Sequence, residues 1–144
     1  MQRRSQASLE YLVVLAALFA FLAAFAPLVN STRELAQYTV VVRTQESAFH
    51  RVVEACSQAS VFGYSAASSR EIILDADKTL FYYNESTATL SMSFVQGNRS
   101  KTFFSQTDYA VGVGSSQLRK GKYLASAVST PSGIRLDFAS QPLK

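Results

Sequence analysis

Residues 6–29 read QASLEYLVVLAALFAFLAAFAPLV: a carboxylate, Glu10, and then a run from Leu12 to Val29 that carries no charge. The 19 residues from Tyr11 to Val29, wound as a helix rising about 1.5 Å per residue, span roughly 28 Å, close to the hydrocarbon thickness of a bilayer. No other segment of this 144-residue chain approaches that. The run is apolar on every face, and Ala16, Ala17, Ala20, Ala23, Ala24 and Ala26 let neighbouring helices approach closely. An ionised group at the edge of hydrocarbon is costly unless paired, which makes Glu10 the first candidate for a functional residue.

The helical signal passes beyond the apolar run. Leu35, Tyr38, Val42, Gln45, Phe49, Val52, Cys56 and Ala59 recur three and four residues apart, a stripe on one helical face, with Arg33, Glu34, Arg43, Glu46, His50, Arg51 and Glu54 mostly off it. The spacing predicts one helix from about Ala7 to about Ser60, bent or loosened at Pro27 and stopped at Gly63. Residues 64–70 read as a joint. Beyond them the period becomes two: Leu90, Met92 and Phe94 alternate with small polar residues, as do Ile134, Leu136 and Phe138 with charged ones. With Glu71 to Leu74, Thr79 to Tyr83, Lys101 to Phe104, Tyr109 to Val113 and Lys122 to Val128, the reading is a meander of five or six short strands and a frayed tail from Ala139. Its apolar face needs a cover, which the striped half of the helix supplies. The expected class is α+β: a long N-terminal helix, apolar in its first half and amphipathic in its second (30–63), packed on a small antiparallel sheet domain (64–144).

The formal charge of +4 suggests nucleic acid only until the charges are located. Arg3 and Arg4 precede the apolar run, a cytoplasmic flank under the positive-inside rule, and without them the chain carries about +2. The single Cys56 excludes a disulfide framework and reads as a small buried thiol. All three asparagines, Asn30, Asn84 and Asn98, stand in Asn-x-Ser/Thr triplets. With 29 of 144 residues Ser or Thr, chance does this roughly once in a hundred, which favours glycan acceptors on an exported domain.

Residues 3–12, Arg-Arg-Ser-Gln-Ala-Ser-Leu-Glu-Tyr-Leu, resemble the class III signal sequence of archaeal type IV pilin precursors. There a short basic leader precedes Gln-x-Ser-x-Glu-Tyr/Phe and an apolar helix, and a membrane-embedded aspartic peptidase cuts before the Gln. The resemblance implies a cleaved leader of residues 1–5, a cut between Ser5 and Gln6, and a processing motif of Gln6, Ser8, Glu10 and Tyr11. It makes Glu10 the fifth mature residue, in the place of the family's assembly glutamate, and Pro27 the helix-loosening proline. The residue before the cut, Ser5, departs from the family's usual Gly or Ala. The likeness is specific over about the first 30 residues and architectural after that.

Chemistry supports the same role for Glu10. A chain beginning at Gln6 carries a free positive amine, and among parallel helices a neighbour's Glu10 can neutralise it and so set the axial register. The plainer reading is a carboxylate complementing the helix dipole, worth about 0.3–1 kcal/mol. Catalytic candidates are thin: His50 has no second His or nucleophile pattern, Asp75-Ala76-Asp77 lacks the later ligands of a calcium loop and reads as a strand end with a turn, and Arg119-Lys120-Gly121-Lys122 reads as a basic turn. No enzyme, metal, cofactor or nucleic-acid partner is expected. The expectation is a pilin: a single-pass membrane precursor, processed by the prepilin peptidase, handled by the pilus assembly machinery, and polymerised with other copies into an adhesive, glycosylated cell-surface filament. A minor pilin or pseudopilin, or a membrane-anchored binding domain that never polymerises, are the alternatives. A secreted enzyme with a signal peptide cut after Ala26 is disfavoured by Pro27 beyond that bond.

Overall fold

In the computed structural model, one α-helix, α1, runs through Gln2–Phe62. The structure describes residues 2–114 and 117–142, with side chains from Leu9 onward. Contacts divide the chain into two units, Met1–Thr39 and Val40–Lys144. In the first, Pro27 lies inside the helix rather than ending it; its ring nitrogen has no hydrogen for the carbonyl of Ala23. One turn on, the hydroxyls of Ser31 and Thr32 fold back onto the Leu28 carbonyl at 2.9 and 2.8 Å.

The second unit holds the C-terminal part of α1 and six strands: β1 Ala67–Asn84, β2 Thr89–Gln96, β3 Arg99–Gln106, β4 Val111–Val113, β5 Gln117–Thr130 and β6 Gly133–Gln141. They form one sheet in the order β3-β2-β1-β5-β6-β4. The class is α+β, with a long helix on an antiparallel-dominated sheet, consistent with a pilin-like fold. The helix stops where Gly63 takes φ 87°, a left-handed conformation that costs glycine little, and Ser65 follows at φ 65°. Strand β1 begins two residues later, so the joint is shorter than 64–70: Ser68, Ser69 and Arg70 already pair with β5.

The connectivity also departs from a meander. The segments expected as two strands, 71–74 and 79–83, are halves of the 18-residue β1, joined through a register shift between Leu74 and Lys78. That length lets β1 pair with β2 through its C-terminal half and with β5 along most of its length. Strand β4 lies parallel to β6. Ala139, Ser140 and Gln141 belong to β6, paired with Lys122–Leu124, instead of fraying.

Alternation places the core as the sequence implied. Leu90, Met92 and Phe94 are fully buried, as are Phe81, Ile72 and Leu136. From the helix come Val41, Ala48, Phe49, Val52, Ala55, Cys56 and Ala59. Leu35, expected on the stripe, is 53% exposed, and burial becomes continuous only from Val41. Phe49 stacks with Phe103, and Phe103 with Phe94, at ring separations of 6.2 and 5.9 Å. Around this apolar contact runs a polar seam: Arg51 Nη1 donates to the Glu71 carbonyl at 3.0 Å, and Arg70 donates to Gln58 and reaches Glu54 at 3.4 Å.

Candidate functional site

The apolar half of α1 is a surface without a cover among the described residues. Glu10 and all residues from there to Gln37 except Leu15 are exposed. The large side chains include Tyr11, Leu12, Val14, Phe19, Phe21 and Val29, each more than half exposed. Phe21 and Phe25 lean on each other at 4.4 Å and remain 58% and 45% exposed. Burying one such side chain is worth about 1.5–3 kcal/mol, so a dozen half-exposed ones in water forgo on the order of 10 kcal/mol, comparable with a whole domain's stability. The helix is long and apolar enough to cross a membrane.

Glu10 stands at the start of this surface, exposed and without an ion pair among the described residues. The side chains of Ser5, Gln6 and Ser8 lie outside the described residues. Their backbone is helical, in the opening turns that hold the fewest helical hydrogen bonds. Tyr11 follows Glu10 on the helix, 68% exposed.

The sheet unit accounts for the residues set aside as weak catalytic candidates. Asp75-Ala76-Asp77 is a bulge inside β1, not a strand end with a turn. Its backbone is held from the helix: with the Gln45 amide oriented to match its surroundings, Oε1 accepts from Asp75 N at 2.8 Å and Ala76 N at 2.9 Å. Gln45 is fully buried, and its place on the stripe gave it no role of its own in the sequence. The signal was the one polar residue on the stripe. Arg119-Lys120-Gly121-Lys122 likewise lies within β5, in its N-terminal half, rather than in a turn, and there Lys120 pairs with Asp75 and Lys122 with Glu71. The Lys120 ammonium is pushed up by its hydrogen bond to Asp75.

His50 is exposed, its ring 6.5 Å from that of Phe49. No cluster of three His, Cys, Asp or Glu capable of holding a metal occurs among the described residues. Cys56 is buried in the helix–sheet core, and burial pushes its thiol up to about 12. Tyr109 rises to about 12 as well, through burial and then the proximity of Cys56 and Asp108. Both changes make the groups less reactive at neutral pH. The three sequons fall on different structures: Asn30 within α1, Asn84 at the end of β1, and Asn98 in the turn between β2 and β3. Comparison with protein-family models, curated proteins and solved structures finds no match for this chain.

Proposed function

We propose that this chain is the structural subunit of an extracellular type IV pilus-like filament, held in the membrane by α1 before processing and polymerised through the same helix afterwards. The observation that carries the reading is the continuous apolar surface of α1 with a single carboxylate, Glu10, at its N-terminal border. Lipid covers that surface in the precursor, and the helices of other copies cover it in the filament. The exchange is nearly neutral in hydrophobic free energy, because lipid tails and packed helices are about equally apolar. Specificity then rests on close packing at the alanines and on the pairing of Glu10 with a neighbour's Gln6 amine. The sheet unit forms the filament surface, an exported position that agrees with its sequons.

The test is electron microscopy of surface filaments together with N-terminal mass analysis of their subunit, for wild type and Glu10→Gln. A mature start at Gln6 in both, with filaments in wild type and none in the variant, is expected. Normal filaments from Glu10→Gln defeat the assembly role of the carboxylate, and a mature start near residue 27 defeats the whole reading. A membrane-bound chain that never polymerises identifies the domain as an anchored binding module.

A further inference from the structure

We propose that Asn84 is the preferred glycan acceptor of this chain and that Tyr82 and Phe104 form a platform on which its first sugars stack. The inference rests on the reading that the sheet unit is exported. Three sequons are present, and local geometry separates them. At Asn84 the side-chain oxygen accepts from Ser86 N at 3.1 Å and from Ser86 Oγ at 2.6 Å, a closed turn made by the sequon itself. Both bonds fall on Oδ1 of an exposed residue, and Nδ2 has no hydrogen-bond partner among the described residues. At Asn30 the backbone is helical and Thr32 Oγ1 is committed to the Leu28 carbonyl. At Asn98 the chain turns at Gly97, φ 57°, and Ser100 is already in β3 opposite Val95. Neither repeats the Asn84 arrangement.

The transfer joins Nδ2 to the anomeric carbon of an activated sugar diphosphate. The carbon–oxygen bond to the diphosphate breaks as the nitrogen–carbon bond forms, the diphosphate departs with the electron pair, and Nδ2 gives up one proton to a base of the transferring enzyme.

The platform is a cross-strand row. Tyr82, Ser91 and Phe104 are paired in register across β1, β2 and β3. Phe104 is 77% exposed and Tyr82 41%, while Ser91 between them is only 5% exposed, so the two rings project from the outer face and shelter the serine. Asn84 is on that same face one row along, with Thr89 and Gln106 beside it. Two residues along a strand cover about 7 Å, within reach of the first one or two sugar rings. A pyranose presents a C–H face that can bury exposed aromatic area of this kind. The sugar also screens β3, which stands at the edge of the sheet, a position that invites pairing with other chains.

The full chain, carrying an appended C-terminal Asn-Ala-Thr reporter, is expressed in a host with N-glycosylation and in one without it, and site occupancy is read by glycopeptide mass spectrometry. Expected is higher occupancy at Asn84 than at Asn30 or Asn98. The glycosylated form should melt about 4 °C higher, an increment lost in a Tyr82→Ser, Phe104→Ser double variant whose circular dichroism is unchanged. A glycosylated reporter with Asn84 bare, or occupied no more than Asn98, overturns the acceptor assignment alone. An increment that survives the double variant overturns the platform. A bare reporter overturns the export reading, and this inference with it.

Discussion

Replacing Gln45 by Leu tests how the helix and sheet are locked together. The two side chains have nearly the same volume, so the change removes an acceptor from a fully buried site and leaves packing almost intact. Asp75 N and Ala76 N then face apolar atoms. Ala76 is fully buried and Asp75 half-buried, so one donor has no access to water and the other little. At about 1–3 kcal/mol for each unmet donor, less a small gain from burying Leu, the net loss is about 3 kcal/mol. In a domain of roughly 100 residues that lowers the melting temperature by about 12 °C. The assay is thermal and urea unfolding of the full chain in detergent, with amide hydrogen exchange as the local readout. Exchange should accelerate about 100-fold at amides that open with the whole domain, the factor that corresponds to about 3 kcal/mol, and more at Asp75 and Ala76, which lose their acceptor outright. Val52→Ala, on the same helix face, should lower stability without singling out those amides. A Gln45→Leu chain as stable as wild type, with unchanged exchange at the bulge, refutes the argument, because a Gln whose amide nitrogen faced those donors would be improved by removal.

Thr79→Val should leave stability unchanged or raise it by about 1 kcal/mol in urea unfolding, because the buried Thr79 hydroxyl has no partner among the described residues; a clear loss would reveal a bond to an ordered water. Phe81→Ala should cost about 3–5 kcal/mol, since the ring is fully buried and sits 4.7 Å from Phe138; a loss below 1 kcal/mol would show that the core collapses around the gap. Gly133→Ala should destabilise the β4–β6 end, as φ is 132° and a Cβ there meets the Ala110 carbonyl, with the loss read from exchange at Ile134. The Cys56 thiol, raised from 9.0 to about 12, binds its proton more tightly folded than unfolded; its contribution to stability is complete below pH 9 and falls as pH rises toward 12. Native protein should therefore resist thiol reagents at pH 8 and react on unfolding, and prompt reaction of native protein would show that the site opens.

Helix and sheet were legible in the chain because each has its own hydrophobic period. The stripe through Gln45, Phe49, Val52, Cys56 and Ala59 and the alternation at Leu90, Met92 and Phe94 both reappear as buried faces. Strand ends were less legible. A bulge adds residues without ending a strand, so Asp75-Ala76-Asp77 resembled a terminus, and the cations of β5 resembled a turn because their neutralising carboxylates are on β1, some 45 residues away. Among the candidate site residues, Glu10 was visible through its isolation beside an uncharged run. The differing environments of Asn30, Asn84 and Asn98 were not visible at all.

Local pattern thus determined that α1 is apolar on all sides in its first half, that it carries one carboxylate at its border, and that its second half covers a sheet. These properties depend on residues within a few positions of each other. The tertiary structure decided what depends on distant pairing: the insertion of β1 beside β5, the parallel docking of β4 on β6, the use of Gln45 to hold a bulge, and the row that brings Tyr82 and Phe104 beside Asn84. Cross-strand register is set by contacts between segments far apart in the chain, and a period of two specifies which face a side chain takes but not which neighbour it meets.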